Sequence, residues 1–121
     1  MQNQQTFLVT GAMGCLGSWV LRNLIDEGAN VVAGDLATEP VRAKLLMSDE
    51  EISRINWTSL DVTDVGAVDK VVAENDVSHI IHLAGLQIPF CKANPSVGAS
   101  VNVLGTVNVL EAARNNDVKG V

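Results

Sequence analysis

The sequence lacks tyrosine altogether and holds only two Phe and two Trp. So few rings cannot build the stacking platform that single-stranded nucleic acid requires. They also leave the core to Val, Leu, Ile and Ala. Cysteine is nearly as scarce. Cys15 and Cys91 cannot make a disulfide framework, and no spacing suggests a zinc centre, so no metal ligands are assigned. Long apolar runs are missing too. The start, Met1-Gln2-Asn3-Gln4-Gln5, carries no basic segment, and the Phe7-Leu8-Val9 run after it is too short for a signal sequence. Nothing approaches the ~20 apolar residues of a membrane span. These features predict a reduced, soluble, cytoplasmic protein with no membrane partner. Positive charge is in deficit, with 8 Lys and Arg against 14 Asp and Glu. A net charge of −6 and an isoelectric point near 4.6 argue against nucleic acid or an anionic membrane surface as partner. What remains, 47% hydrophobic and 18% charged residues in a chain of 121, fits one globular domain over 1–121.

Short apolar runs alternate with stretches of helical period. Thr6–Thr10 reads as a buried strand, and Cys15–Asp26 as a helix with Leu16, Val20, Leu21, Leu24 and Ile25 on one face. Gly28 is its predicted stop. Asn30–Leu36 is the second strand. Pro40 suits the first turn of a helix reaching about Met47, and Ser48 with Glu51 forms a capping-box pattern. Ile55–Leu60 is the third strand. A third helix follows over Asp64–Asn75, capped by Thr63, with Val68, Val71 and Val72 inward. Ser78–Ala84 is the fourth strand. Gly85–Ala93, with Pro89 inside it, reads as an irregular loop. Asn94 caps a long helix, Pro95–Asn115, and Val118–Val121 begins to look extended. Such alternation predicts βαβ units and a parallel sheet.

One segment carries chemistry: Thr10-Gly11-Ala12-Met13-Gly14-Cys15-Leu16-Gly17. Gly11 permits the tight turn out of the strand. Gly14 removes the Cβ that would block a pyrophosphate, and Gly17 lets the helix pack closely on the sheet. The free amides and dipole of the new helix then face the anion. Asp35 ends the second strand, beside Leu36, at the distance of about 20 residues expected of a ribose-binding acid. Its charge would repel a 2′-phosphate, and the loop carries no Arg or Lys, so NAD(H) is favoured over NADP(H). The fold class expected is α/β: a Rossmann-type parallel sheet with helices on both faces, truncated after about four strands. His79 and His82 are three apart on a strand and face opposite ways, a poor metal pair. Cys15 and Cys91 read as small buried hydrophobes rather than reactive thiols.

The chain resembles the extended short-chain dehydrogenase/reductase family, the NAD-dependent epimerase/dehydratase group. Thr10–Gly17 matches its TGxxGxxG form, and Asp61-Val62 its adenine-contacting pair. His82-Leu83-Ala84-Gly85 is similar to its HLAA segment, with Gly in the last place. The run from Asn102 to Ala113 is similar to its NxxGTxNxLEAA helix. The resemblance implies that Asp61 and the Val62 amide meet adenine. It implies that Leu83, Ala84 and Gly85 pass the adenosine and pyrophosphate, and that Asn102 braces the sheet. Asp61–Asp64 serves equally as a helix cap, and Gln87 either touches substrate or lies in water.

The family's hydride chemistry uses a Tyr-x-x-x-Lys pair after a fifth strand, and this chain encodes no Tyr. No catalytic residue is therefore assigned, and the chain alone is expected to be inactive. The resemblance implies the N-terminal, NAD(H)-binding portion of an NAD-dependent sugar or nucleotide-sugar epimerase, dehydratase or dehydrogenase. A sugar or nucleotide-sugar would be the partner only of the full-length parent, whose C-terminal substrate-binding part is absent here. Two alternatives stay open: a noncatalytic NAD-binding regulatory module, and a structural half-domain without a tight ligand. Self-association is expected, through the exposed edge of the fourth strand or the long helix from Pro95. On that helix Val97, Val101 and Leu104 form one apolar track, and Val103, Val107 and Leu110 another.

Overall fold

Alternate residues of the first strand, β1 (Thr6–Thr10), serve two separate cores. Leu8 packs with Val32, Ile80, Val72 and Val109, whereas Val9 packs with Leu21, Ile25, Val31 and Ala33. Neither face of the central strands meets water, which is why β1 and β2 read as apolar runs rather than as alternating patterns. The computed structural model describes residues 4–121; the polar start Met1–Asn3 lies outside them.

The sheet is parallel and ordered β3-β2-β1-β4, with β2 at Asn30–Asp35, β3 at Asn56–Ser59 and β4 at His79–His82. Leu8 lies between Val32 and Ile80 in register. The chain steps outward from β1 to β3, then returns to the other side of β1 for β4. The strand order thus reverses between β1 and β4, and an open α/β sheet binds ligands beyond its strand ends at that point. Helix α1 (Cys15–Asp26) covers one face, ending at Gly28, whose φ of +74° lets the Ala29 amide reach the Leu24 carbonyl. Helix α3 (Val65–Glu74) and helix α6 (Gly105–Asn115) pack together over the other face through Val68, Val72, Val109 and Ala112.

Several expectations need correction. Pro40–Met47 forms only a single 3-10 turn, Ala43–Leu45, in which Pro40, Ala43 and Met47 are buried while Leu45 is exposed. The capping box is present: the Ser48 hydroxyl accepts from the Glu51 amide and the Glu51 carboxylate from the Ser48 amide, opening α2 (Asp49–Ser53). Asp64, not Thr63, caps α3, its carboxylate accepting from the Ala67 amide. The Gly85–Ala93 loop contains a helix, α4 (Ile88–Ala93), with Pro89 in its first turn, where no amide is needed. The long helix is continuous but not uniform. It runs as α5 (Pro95–Ala99), a π-turn (Ser100–Leu104) and α6, with Asn94 capping it through the Val97 amide. Leu16 and Cys15 are exposed rather than buried.

Two helices end in the same three residues, Asn-Asp-Val. The Asn75 and Asn116 amides donate back to the Val71 and Ala112 carbonyls at 2.8 and 2.9 Å. Asp76 and Asp117 then take φ of 48° and 53°, a region short polar side chains tolerate, and Val77 and Val118 turn into the sheet. The second copy leads to a short parallel ladder on β4. There the Lys119 amide donates to Ser78 and the Ile80 amide to Gly120, at 2.8 and 2.9 Å. The start of β4's outer edge is therefore covered, which corrects the expectation of a bare strand edge. The helix surface stands as expected: Val97, Val103, Leu104, Val107 and Leu110 are exposed, although Val101 packs on the core.

Candidate functional site

At the end of β1 the three glycines do different work. Gly11 has φ of +66°, and a Cβ there would lie 2.7 Å from the backbone of Leu83 and Ala84. A Cβ on Gly17 would come within 2.8 Å of Ala12 backbone atoms, and nearer still to the Gly11 carbonyl oxygen. Both glycines are required by the fold itself. Gly14 is different: it is extended, at φ −71° and ψ 173°, and its Cβ would meet only the Gly11 oxygen, at 3.3 Å. The space it leaves is open to the solvent side of the turn.

Gly14 is also the N-cap of α1, with no capping side chain and no acid in the first turn. Among the described residues nothing accepts from the amides of Cys15, Leu16 and Gly17. Unpaired donors at the positive end of a twelve-residue helix form an anion-binding arrangement. Asp35 stands across the turn. One of its carboxylate oxygens accepts from the Met13 amide at 2.9 Å and the other from Leu36 at 2.7 Å, so the carboxylate is fixed while each oxygen keeps an acceptor site. Arg42 donates to the Met13 carbonyl at 3.2 Å and brings one positive charge to the outer edge of the loop.

These groups open onto a cleft of about 430 Å³, within the usual ~300–1,000 Å³ of ligand sites. Its far wall comes from the end of β3. Asp61 accepts from both the amide and the hydroxyl of Thr63, at 2.9 and 2.7 Å, and these bonds hold its carboxyl below the usual range. Val62 is buried and held from behind: Asn108, itself buried, donates to its carbonyl at 2.9 Å, and Gly105 gives its side chain room. The third wall is the segment leaving β4. There the Asn102 side-chain amide accepts from the Leu86 amide at 2.7 Å and donates to the Leu86 carbonyl at 2.9 Å. Asn102 thus braces this segment, not the sheet.

Of the residues singled out in sequence, Gly11, Gly14, Cys15, Leu16 and Gly17 line the cleft on the glycine side. Asp35, Leu36, Asp61 and Val62 line it on the β2–β3 side, and Leu83, Ala84 and Gly85 on the β4 side. Ala12 and Met13 do not. Ala12 is core, 1% exposed, and the Met13 amide is spent on Asp35. Sequence reasoning missed Gly34, Leu60, Leu86 and Val101 as lining residues and left Gln87 open. Gly34 is required by packing, since a Cβ there would lie 2.9 Å from the Leu60 side chain. Among the described residues no cluster of potential metal ligands exists.

A doubly wound sheet, a glycine turn opening a helix and an acid at the end of β2 define a Rossmann-type dinucleotide-binding fold. The profile of the NAD dependent epimerase/dehydratase family matches residues 7–121, and the chain belongs to that family. It is 31% identical to a UDP-glucose 4-epimerase of Schizosaccharomyces pombe, aligning over 97% of this chain and 34% of the epimerase. A dTDP-glucose 4,6-dehydratase of Shigella flexneri is 30% identical over 89% of this chain and 30% of its own length. Among solved structures, UDP-glucose 4-epimerase of Thermus thermophilus in complex with NAD superposes with a TM-score of 0.78 at 28% identity, covering 94% of this chain and 35% of that one. L-threonine dehydrogenase of Clostridium difficile gives 0.80 at 29%, covering 98% and 36%. The chain spans about a third of the length of the curated relatives it matches.

Proposed function

We propose that this chain is the NAD(H)-binding portion of a larger NAD-dependent sugar or nucleotide-sugar epimerase, dehydratase or dehydrogenase. The observation that carries the reading is the set of unpaired amides at Cys15, Leu16 and Gly17, faced by the space that Gly14 leaves. That site fits a pyrophosphate. Asp35, already oriented by Met13 and Leu36, is placed to accept from ribose hydroxyls. Leu36, Asp61 and Val62 would border the adenine. NAD⁺, when bound, supplies a hydride acceptor; this chain's residues bind and orient it. The Tyr that carries the proton in the resembling family has no counterpart here, since the chain contains no Tyr. We assign it, with the substrate-binding part, to a segment beyond the 121 residues, in line with the relatives' greater length.

The missing Tyr also fits a noncatalytic NAD-binding module, which would use the same cleft. Both readings place the protein in the cytoplasm. Self-association through the exposed apolar side of α5 and α6 accompanies either. Titration with NAD⁺ and NADP⁺ tests the cofactor assignment. NAD⁺ binds more tightly, and Asp35→Ala narrows the gap, because removing the carboxylate removes both a ribose acceptor and the repulsion of a 2′-phosphate. Tighter binding of NADP⁺ by the unaltered chain refutes the role given to Asp35.

A further inference from the structure

His82 sits behind the cleft, half-buried between β1 and α6. Its Nδ1 lies 2.6 Å from the Thr10 hydroxyl and its Nε2 3.2 Å from the Thr106 hydroxyl. Counting donors fixes the direction of every bond. The Thr10 hydroxyl oxygen already accepts the amides of Leu83, which it shares with the Thr10 carbonyl, and of Ala84, at 3.1 and 3.2 Å, which uses both lone pairs. Its single hydrogen must therefore go to Nδ1. The Thr106 hydroxyl donates to the Asn102 carbonyl at 2.8 Å, so it accepts from Nε2–H. Only the neutral ring with its proton on Nε2 satisfies the whole chain of bonds.

This chain of bonds joins the walls of the cleft. Thr10 immediately precedes Gly11, whose missing Cβ is filled by Leu83 and Ala84. At the other end, Asn102 lies on the π-turn and grips Leu86 through both backbone groups. π-Turns inside helices are frequent at functional sites. We propose that His82, in its neutral Nε2–H form, is a positioning residue for the dinucleotide, tying the glycine turn to the Leu83–Leu86 wall through Thr10, Thr106 and Asn102. The inference rests on the NAD-binding reading above.

Protonating Nδ1 would set its N–H against a hydroxyl whose lone pairs are both taken. The Leu83 amide can fall back on the Thr10 carbonyl, but the Ala84 amide would lose its acceptor, and the wall would loosen there. Among the described residues no charged group acts on His82, and its partners in this network are Thr10 from β1 and Thr106 from α6. His79, on the same strand, lies on the opposite face, stacked on Phe7 at 5.0 Å. Burial holds the His82 ring below its ordinary 6.5, so neutral pH keeps the coupled form.

The test is the NAD⁺ dissociation constant of the 121-residue chain between about pH 5 and pH 7.5, flanking the ordinary histidine range. The unaltered chain binds more weakly as pH falls, by about five- to tenfold, the scale of one lost hydrogen bond. His82→Gln keeps an acceptor and a donor on one side chain but takes up no proton in this range, so its affinity no longer changes with pH. His82→Leu binds weakly throughout. Should that variant fail to fold, ¹⁵N NMR of the unaltered protein reads the tautomer directly, and a proton on Nδ1 overturns the proposal. Equal affinity across the range in the parent overturns it while leaving the NAD reading intact. No NAD⁺ binding at any pH overturns both.

Discussion

Adding a methyl group to each glycine of the turn separates what the fold needs from what the ligand needs. At Gly17 the new Cβ collides with the backbone of Gly11 and Ala12, which cannot retreat without moving α1 off the sheet. Overpacking of this kind costs about 1–3 kcal/mol or more. At Gly11, Ala adds the left-handed penalty of ~1–2 kcal/mol to a collision with Leu83 and Ala84. At Gly14 the backbone is already extended and the only neighbour is an oxygen at 3.3 Å. Ala there lowers the entropy of the unfolded chain by ~0.4–1 kcal/mol and loses a similar amount as a poorer N-cap, so stability changes by under about 1 kcal/mol. Binding should respond in the reverse order. Gly14→Val closes the approach to amides that would each contribute ~1.5–3 kcal/mol to a phosphate. Losing two of them weakens NAD⁺ by about 10²–10⁴-fold. Thermal melts and calorimetric titration of Gly11→Ala, Gly14→Val and Gly17→Ala provide the comparison. A Gly14→Val protein that folds and binds NAD⁺ like its parent refutes the reasoning, as does one that unfolds like Gly17→Ala.

Two further outcomes follow from the same structure. The chain alone should turn over no sugar or nucleotide-sugar substrate in a nicotinamide absorbance assay, since it holds no Tyr to carry the proton; robust activity would contradict this. A concentration series by sedimentation should show self-association that Leu104→Lys with Val107→Lys abolishes, both residues being exposed on the apolar side of the long helix; a monomer at high micromolar concentration would show that this surface needs no partner.

The central strands β1 and β2 were legible because burial on both faces leaves apolar runs, and the first helix because glycine punctuates its two ends. The glycine turn with Asp35 was legible because the separation of about 20 residues is set by one strand–helix–strand unit. What escaped was set by distant partners. Leu16 keeps helical spacing with Val20 and Leu24, but it stands five and nine positions before the buried Leu21 and Ile25, so the helix turns it away from the core and toward the cleft. The π-turn inserts its extra residue where Asn102 can reach Leu86, 16 positions away. Arg42 reaches Met13 from a stretch whose helical pattern is too short to fold as one. Asn108 was visible within the helix motif, but its hold on the Val62 carbonyl depends on packing across 46 positions. The paired Asn-Asp-Val termini show a local signal overlooked, an αL stop written without glycine.

The central claim is that this cleft holds NAD⁺ by its pyrophosphate on the first turn of α1. Amide-resolved NMR during an NAD⁺ titration tests it most directly. Saturable shifts are expected, largest at the amides of Cys15, Leu16 and Gly17 and accompanied by Leu36 and Val62, with weaker saturation by NADP⁺. Saturation by NAD⁺ with those three amides unmoved, or no saturation at millimolar nucleotide, would contradict it.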